Sequence, residues 1–210
     1  MLSLSVEEAL QHYAEFGAPT VAALRALAVE QTLSRTEHVL RAGDMATRVG
    51  IVLEGLLREY FVMADGSECT KAFVVPLHPT GSLADLISGE ASRAFIVAEE
   101  PARVLWFEYS RFRALVEQSL ELKNSYLRDL ERLLLQKAER EYELLGLPAS
   151  ERYERFQRRF PGLEARVAAR HVASYLGVTP VYLSRLRRRR RQARAKLEPR
   201  PGAQSRDNSR

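Results

Sequence analysis

A chain of 210 residues, 46% apolar and 28% charged, can bury one large or two small cores and is too apolar to be disordered throughout. Its one cysteine, Cys69, excludes an internal disulfide framework, a cysteine-ligated zinc finger and an iron–sulfur cluster held by one chain. The net charge of +5 is divided, with −7 over residues 1–150 and +12 over 151–210. An acidic body therefore carries a basic end suited to a polyanion, nucleic acid ahead of membrane headgroups.

Glu7 and Glu8 stand near the N-terminus without a basic run, which argues against a signal peptide. No apolar run approaches the roughly 18–20 residues needed to cross a bilayer. The expectation is a soluble, cytoplasmic protein without a membrane partner. From Ser5 to about Ser34 the chain reads as helical: Ser5 is a serine cap followed by carboxylates, and Val21, Leu24 and Leu27 recur at helical spacing. From His38 to Tyr109 short strand-like runs take over, at residues 50–53, 57–62, 70–75, 94–98 and 102–107. Turn signals punctuate them, above all Ala64-Asp65-Gly66-Ser67. Short strands at near-regular spacing predict a small antiparallel barrel or roll.

After Ser110 the period is helical again. Leu120, Leu127 and Leu134 lie seven apart with Leu130 and Leu144 offset, over a stretch free of Gly and Pro. This is either an amphipathic helix packed on its own domain or a parallel dimer helix. Gly146-Leu147-Pro148 ends it, where the charge changes sign, and Pro148-Ala149-Ser150 opens another. Beyond Lys196 nothing can form a core, and a disordered basic tail is expected over 197–210.

The sharpest motif runs from Arg170 to Arg187. Val172 and Leu176 share a helix face, Gly177 suits a left-handed turn, Val178 plugs the angle, Thr179 is an N-cap and Pro180 a first helical residue. With Leu183 and Leu186 inward, Val181, Ser184, Arg185 and Arg188 point outward with Tyr182 on the flank. This is a helix-turn-helix whose second helix offers Val181, Ser184, Arg185 and Arg188 to base edges. Thr179, Tyr182, Arg187, Arg189, Arg190 and Arg191 suit phosphates.

This motif, behind a dimer-type helix and a strand roll, resembles the CRP/FNR family of bacterial transcription regulators over roughly residues 20–192. In the roll, Leu40-Arg41-Ala42-Gly43-Asp44, residues 49–58 and Asp65-Gly66-Ser67-Glu68 match the family's glycine-punctuated pattern. The resemblance implies an α+β chain: an antiparallel, jelly-roll-like β-roll as a cyclic-nucleotide-binding-like effector domain (1–110), a dimerisation helix and linker (111–147), and a winged helix-turn-helix (148–196). It further implies a homodimer on a roughly palindromic site of double-stranded DNA, with RNA polymerase among the partners considered.

The effector pocket that the family implies falls on Gly81, Ser82, Asp85, Ser92 and Arg93. The glutamate that holds a ribose in cyclic-nucleotide-binding relatives is replaced by Ser82, and the Arg-Ser pair is reversed as Ser92-Arg93. Shifting a strand residue by one position turns it to the other face, so the expectation is a degenerate pocket without a nucleotide or a ligand other than cAMP, with a cAMP- or cGMP-responsive regulator as the alternative. No cofactor is expected. His78 is a weak haem candidate, and Cys69 lacks the neighbouring cation or second thiol of a redox sensor. A cupin-like enzyme tethered to DNA would need clustered ligands, whereas His12, His38, His78 and His171 are scattered and no P-loop, nucleophile elbow or HExxH occurs. The chain is therefore read as no enzyme. An RNA-binding reading lacks an aromatic stacking sheet in the basic segment.

Overall fold

Two short helices open the computed structural model, which describes residues 5–13 and 16–197: Val6–Tyr13 (α1) and Ala18–Leu27 (α2). A capping box starts α1, since the Glu8 amide donates to Ser5 Oγ (3.1 Å) and the Ser5 amide to Glu8 Oε2 (2.7 Å). The single helical stretch expected to about Ser34 is thus corrected. Pro19 falls in the first turn of α2, where its missing N–H costs nothing, and Val29–Leu33 is a strand (β1). All five of its residues pair with Ala102–Glu108 (β8), a partner some seventy residues away that local periodicity cannot register.

The other strands are His38–Leu40 (β2), Arg48–Glu54 (β3), Leu57–Val62 (β4), Glu68–Val74 (β5), Pro79–Thr80 (β6) and Phe95–Ala98 (β7), with helix Leu83–Ser88 (α3) between β6 and β7. They form two four-stranded sheets, β1-β8-β3-β6 and β2-β7-β4-β5, with antiparallel pairings throughout. The β4–β5 hairpin turns where Asp65-Gly66 was expected to turn it: Asp65 Oδ1 accepts from the Ser67 amide and hydroxyl, and Gly66 takes φ +82°. Leu33, Val52, Leu57, Val74, Ile96, Val104 and Trp106 fill the roll between the sheets. The alternate residues Ile51, Leu53, Leu105 and Phe107 face outward against Leu10, Leu24, Val116 and Leu122 of the flanking helices.

The segment expected as a dimerisation helix and linker holds two helices. Glu108 caps Tyr109–Gln118 (α4) by accepting from the Ser110 and Arg111 amides. Ser119 then leaves helical geometry and caps Leu120–Gly146 (α5), a helix of 27 residues. After Pro148 come Ala149–Arg159 (α6), a 3-10 turn at Leu163–Ala165, Ala169–Leu176 (α7) and Pro180–Leu197 (α8). No strand follows β8 among the described residues, so the wing has no described counterpart. The disordered tail expected over 197–210 lies outside the described residues, apart from Leu197 at the end of α8.

The change of charge sign near Pro148 is not a gap in the structure. Leu56 and Phe73 of the roll share one core with Tyr153, Phe156, Leu163, Val172, Tyr175, Leu176, Leu183 and Leu186. Phe73 lies between Phe156 (6.2 Å) and Tyr175 (5.5 Å), ring centre to ring centre. The acidic and basic portions of the chain are packed as one body.

Candidate nucleic-acid interface and roll cavity

The turn between α7 and α8 takes the form its residues dictate. Gly177 adopts φ 65° and ψ 40°, and its amide and that of Val178 close back on Ser174 and Ala173. A Cβ there would lie 3.3 Å from Leu144 Cδ2 as well as in strained backbone. Thr179 Oγ1 caps α8 by accepting from the Tyr182 amide (3.2 Å). Leu183 and Leu186 are buried against α7, while Val181, Tyr182, Ser184, Arg185 and Arg188–Arg191 are exposed. One apolar stripe thus fixes the helix and leaves a polar face outward.

One of the six expected phosphate ligands, Arg187, is engaged elsewhere. Arg187 donates through Nε (3.1 Å) and Nη2 (2.8 Å) to Glu164 Oε1, while Tyr153 donates to the other carboxylate oxygen (3.0 Å). Burial opposes the Arg187 charge, yet the Glu164 carboxylate holds its guanidinium above the ordinary range. Arg187 therefore clamps α8 to the turn after α6. Arg190 lies over the Tyr153 ring, 5.8 Å from its centre.

Sequence reasoning missed how α7 is seated on the roll. β5 ends the order of its sheet, and Ser174 supplies part of the missing strand partner. Its Oγ accepts from the Thr70 amide (2.7 Å) and donates to the Glu68 carbonyl (2.6 Å). Beside it, Arg58 of β4 donates to Glu99 Oε1 (2.5 Å), pairs with Glu68 (2.8 Å) and stacks on Tyr60 (4.1 Å). Glu99 in turn meets His171 Nδ1 (2.9 Å). Arg170 Nε donates to His171 Nε2 (3.2 Å), leaving Nδ1 to carry the proton toward Glu99. Arg58, Glu99 and His171 are all buried. Burial pushes the Glu99 carboxyl up, but the His171 and Arg58 hydrogen bonds outweigh it and hold the group below the usual carboxylate range. The visible signal was two adjacent carboxylates, Glu99-Glu100, between strands; Glu100 pairs with Arg166.

On α5, Leu120, Leu127 and Leu134 are exposed on one side, as spacing by seven requires, with Leu135, Tyr142 and Leu145 beside them. Leu130 is half-buried, and Leu144 stands against Gly177, on the side of the helix-turn-helix. Arg152 closes this corner by donating to the Leu147 (2.8 Å) and Leu176 (2.9 Å) carbonyls at the ends of α5 and α7.

Inside the roll is a cavity of about 230 Å³, lined by Val39, Leu40, Asp44, Met45, Ala46, Thr47, Arg48, Gly81, Ser82, Ile96 and Trp106. Of the expected pocket residues only Gly81 and Ser82 line it. Asp85 accepts from Ser82 Oγ (2.5 Å). Ser92 is buried with its hydroxyl bound to the backbone of Ala94, and Arg93 is exposed. Ser92 and Arg93 lie in the irregular stretch before β7, where the serine turns inward and the arginine outward. Gly81 adopts φ +116°, and a Cβ there would come within 2.9 Å of the Arg48 carbonyl. His78 bonds through Nδ1 to the Pro76 carbonyl (3.1 Å).

Residues 30–119 match the cyclic nucleotide-binding domain family. No curated protein matches the sequence significantly. Among solved structures, FixK2 from Bradyrhizobium japonicum is similar with a TM-score of 0.69 and 21% identity, over 84% of this chain and 89% of that one. A CRP/FNR-family transcriptional regulator from Eubacterium rectale gives 0.68 and 14% over 87% and 88%, respectively. The catabolite activator protein of Thermus thermophilus gives 0.55 and 18% over 91% of both chains. Residues 30–119 thus match the cyclic nucleotide-binding domain family, and the chain as a whole shares its fold with these solved structures, a CRP/FNR-family regulator among them.

Proposed function

We propose that this chain is a sequence-specific DNA-binding transcription regulator, a homodimer controlled through its roll, and not an enzyme. One observation carries the reading: the α7–α8 pair is fixed by buried Val172, Leu176, Leu183 and Leu186 while the polar face of α8 stays exposed. Val181, Ser184, Arg185 and Arg188 reach base edges in a major groove; Arg185 suits guanine O6 and N7. Thr179, Tyr182, Arg189 and Arg191 meet phosphates. Structures of like fold include a transcriptional regulator and a catabolite activator, which supports regulation over catalysis. No helix among the described residues is long and apolar enough to cross a membrane.

The second copy meets α5 along Leu120, Leu127 and Leu134, an exposed apolar seam on a long helix. Two α8 helices related by a two-fold axis read a palindromic site with half-sites about one helical turn apart. The exposure of Arg93 and the replacement of a glutamate by Ser82 support an effector other than a cyclic nucleotide. The test is selection from a random DNA library with the wild type and Arg185→Ala. A palindromic consensus that loses preference at one symmetric position in the variant is expected; identical selections would overturn the assignment.

A further inference from the structure

Across sheet β1-β8-β3-β6, Thr80, Gly50 and Trp106 form one row: Gly50 pairs with Thr80 on one side and Trp106 on the other. Directly opposed residues share a sheet face, and Trp106 belongs to the roll interior. Both flanking side chains are at least 96% buried, and neither Trp106 Nε1 nor Thr80 Oγ1 has a hydrogen-bond partner among the described residues. Gly50 leaves room for the Trp106 ring to lie across the row, because a Cβ at this position would lie 2.7 Å from Trp106 Cε3. Buried polar groups left unpaired cost about 1–3 kcal/mol each, so two in one row beside a cavity mark a place for an acceptor.

The charge at this place is positive. Arg48, on the same face of β3 two residues before Gly50, lies 5.0 Å over the Trp106 ring and reaches Gln31 Oε1 at 3.5 Å. No carboxylate stands within ion-pair distance of it among the described residues. The carboxylate on the cavity wall, Asp44, is held in its own turn by the Arg41 amide (2.9 Å). Val39, Leu40, Met45, Ala46 and Ile96 supply an apolar remainder.

We infer that the roll cavity binds a small organic carboxylate, its charge against Arg48, its oxygens accepting from Trp106 Nε1–H and the Thr80 hydroxyl, and its carbon body against the apolar wall. The size of the apolar recess agrees with a small ligand. A cavity of about 150 Å³ takes benzene, so 230 Å³ takes about nine non-hydrogen atoms. A cyclic nucleotide, with about 22, would have to extend out of it through the open mouth. This inference rests on the reading of the roll as a sensor and names its ligand class.

Trp106 is the one tryptophan of the chain, so its fluorescence in the full-length protein reports the cavity directly. The probes are benzoate, its neutral isostere benzamide, the cation benzylamine, and cyclic AMP. Saturable change with benzoate is expected, weaker by about tenfold or more for benzamide. Arg48→Gln and Thr80→Val should each weaken benzoate while leaving the thermal midpoint near wild type. No saturable response to benzoate, equal binding of benzamide or benzylamine, or tighter binding of cyclic AMP overturns the inference. Operator binding measured on the same samples separates the two readings: DNA binding without a carboxylate response sinks the ligand class alone, and a carboxylate response without DNA binding sinks the regulator alone.

Discussion

His171 of the helix-turn-helix and Glu99 of the roll face one another in the interior, with Nδ1 2.9 Å from Oε1 and Arg58 holding the same carboxylate from the other side. Removing one member of a buried charged set strands the others, which costs on the order of 3–5 kcal/mol. Glu99→Ala should therefore destabilise the protein far more than Glu90→Ala, whose parent is exposed. Urea unfolding measures the difference, and equal midpoints would refute the role assigned to Glu99.

The same carboxylate sets an acid limit. Its folded pKa lies below the unfolded value of about 4.3, so the unfolded state binds the extra proton first. The stabilisation is present above that value and is lost as pH falls through the folded pKa. Denaturation midpoints should fall steeply below about pH 4, and Glu99→Gln should flatten that part of the profile. His38 adds a milder slope at higher pH: burial and the nearby Arg41 lower its pKa from 6.5, so stability declines as pH falls below that value.

Ser174→Ala removes one hydroxyl and leaves the Thr70 amide and the Glu68 carbonyl at the edge of β5 without that partner. The expected cost is about 1–3 kcal/mol. Amide exchange separates this from general loosening: Thr70 should lose protection while Leu57, paired with Ala98 in the sheet centre, keeps it.

The leucines of α5 divide by what they touch. Leu127→Asp with Leu134→Asp places charge on the exposed seam and should halve the mass seen by sedimentation equilibrium. Leu144→Ala should leave the mass unchanged and lower the thermal midpoint, because Leu144 packs at the Gly177 turn. A dissociated Leu144→Ala would refute this division.

Arginines of α8 divide in the same way. Loss of one phosphate contact lowers the salt slope of DNA binding by about 0.9, which is expected of Arg189→Ala and Arg191→Ala. Arg187→Ala should instead lower the thermal midpoint, since its partner is Glu164. A reduced salt slope with an unchanged midpoint for Arg187→Ala would restore it to the phosphate contacts.

The helix-turn-helix was legible because its signals are local: Gly177, Thr179 and Pro180 act within a few residues of themselves, and burial of Leu183 and Leu186 follows from helical spacing. The roll's main strands were legible for the same reason, as was the Asp65-Gly66 turn. What local pattern could not carry was long-range pairing. β1 was read as helix because its partner is β8. Arg187 was given to DNA because Glu164 lies 23 residues away. The cavity was assigned by resemblance to the stretch from Gly81 to Arg93, whereas its charged and hydrogen-bonding wall comes from Arg48 and Trp106 on two strands, with Thr80 in the row next to Trp106.

Ser174 has a consequence for how such a molecule can be switched. In the conformation described, α7 serves as the last rung of β5, so releasing the α7–α8 pair would uncover a raw sheet margin in the same step. A regulator that worked by undocking would pass through an adhesive intermediate at each cycle. Control by sliding or tilting the two portions together, with the rung kept in place, leaves that margin covered.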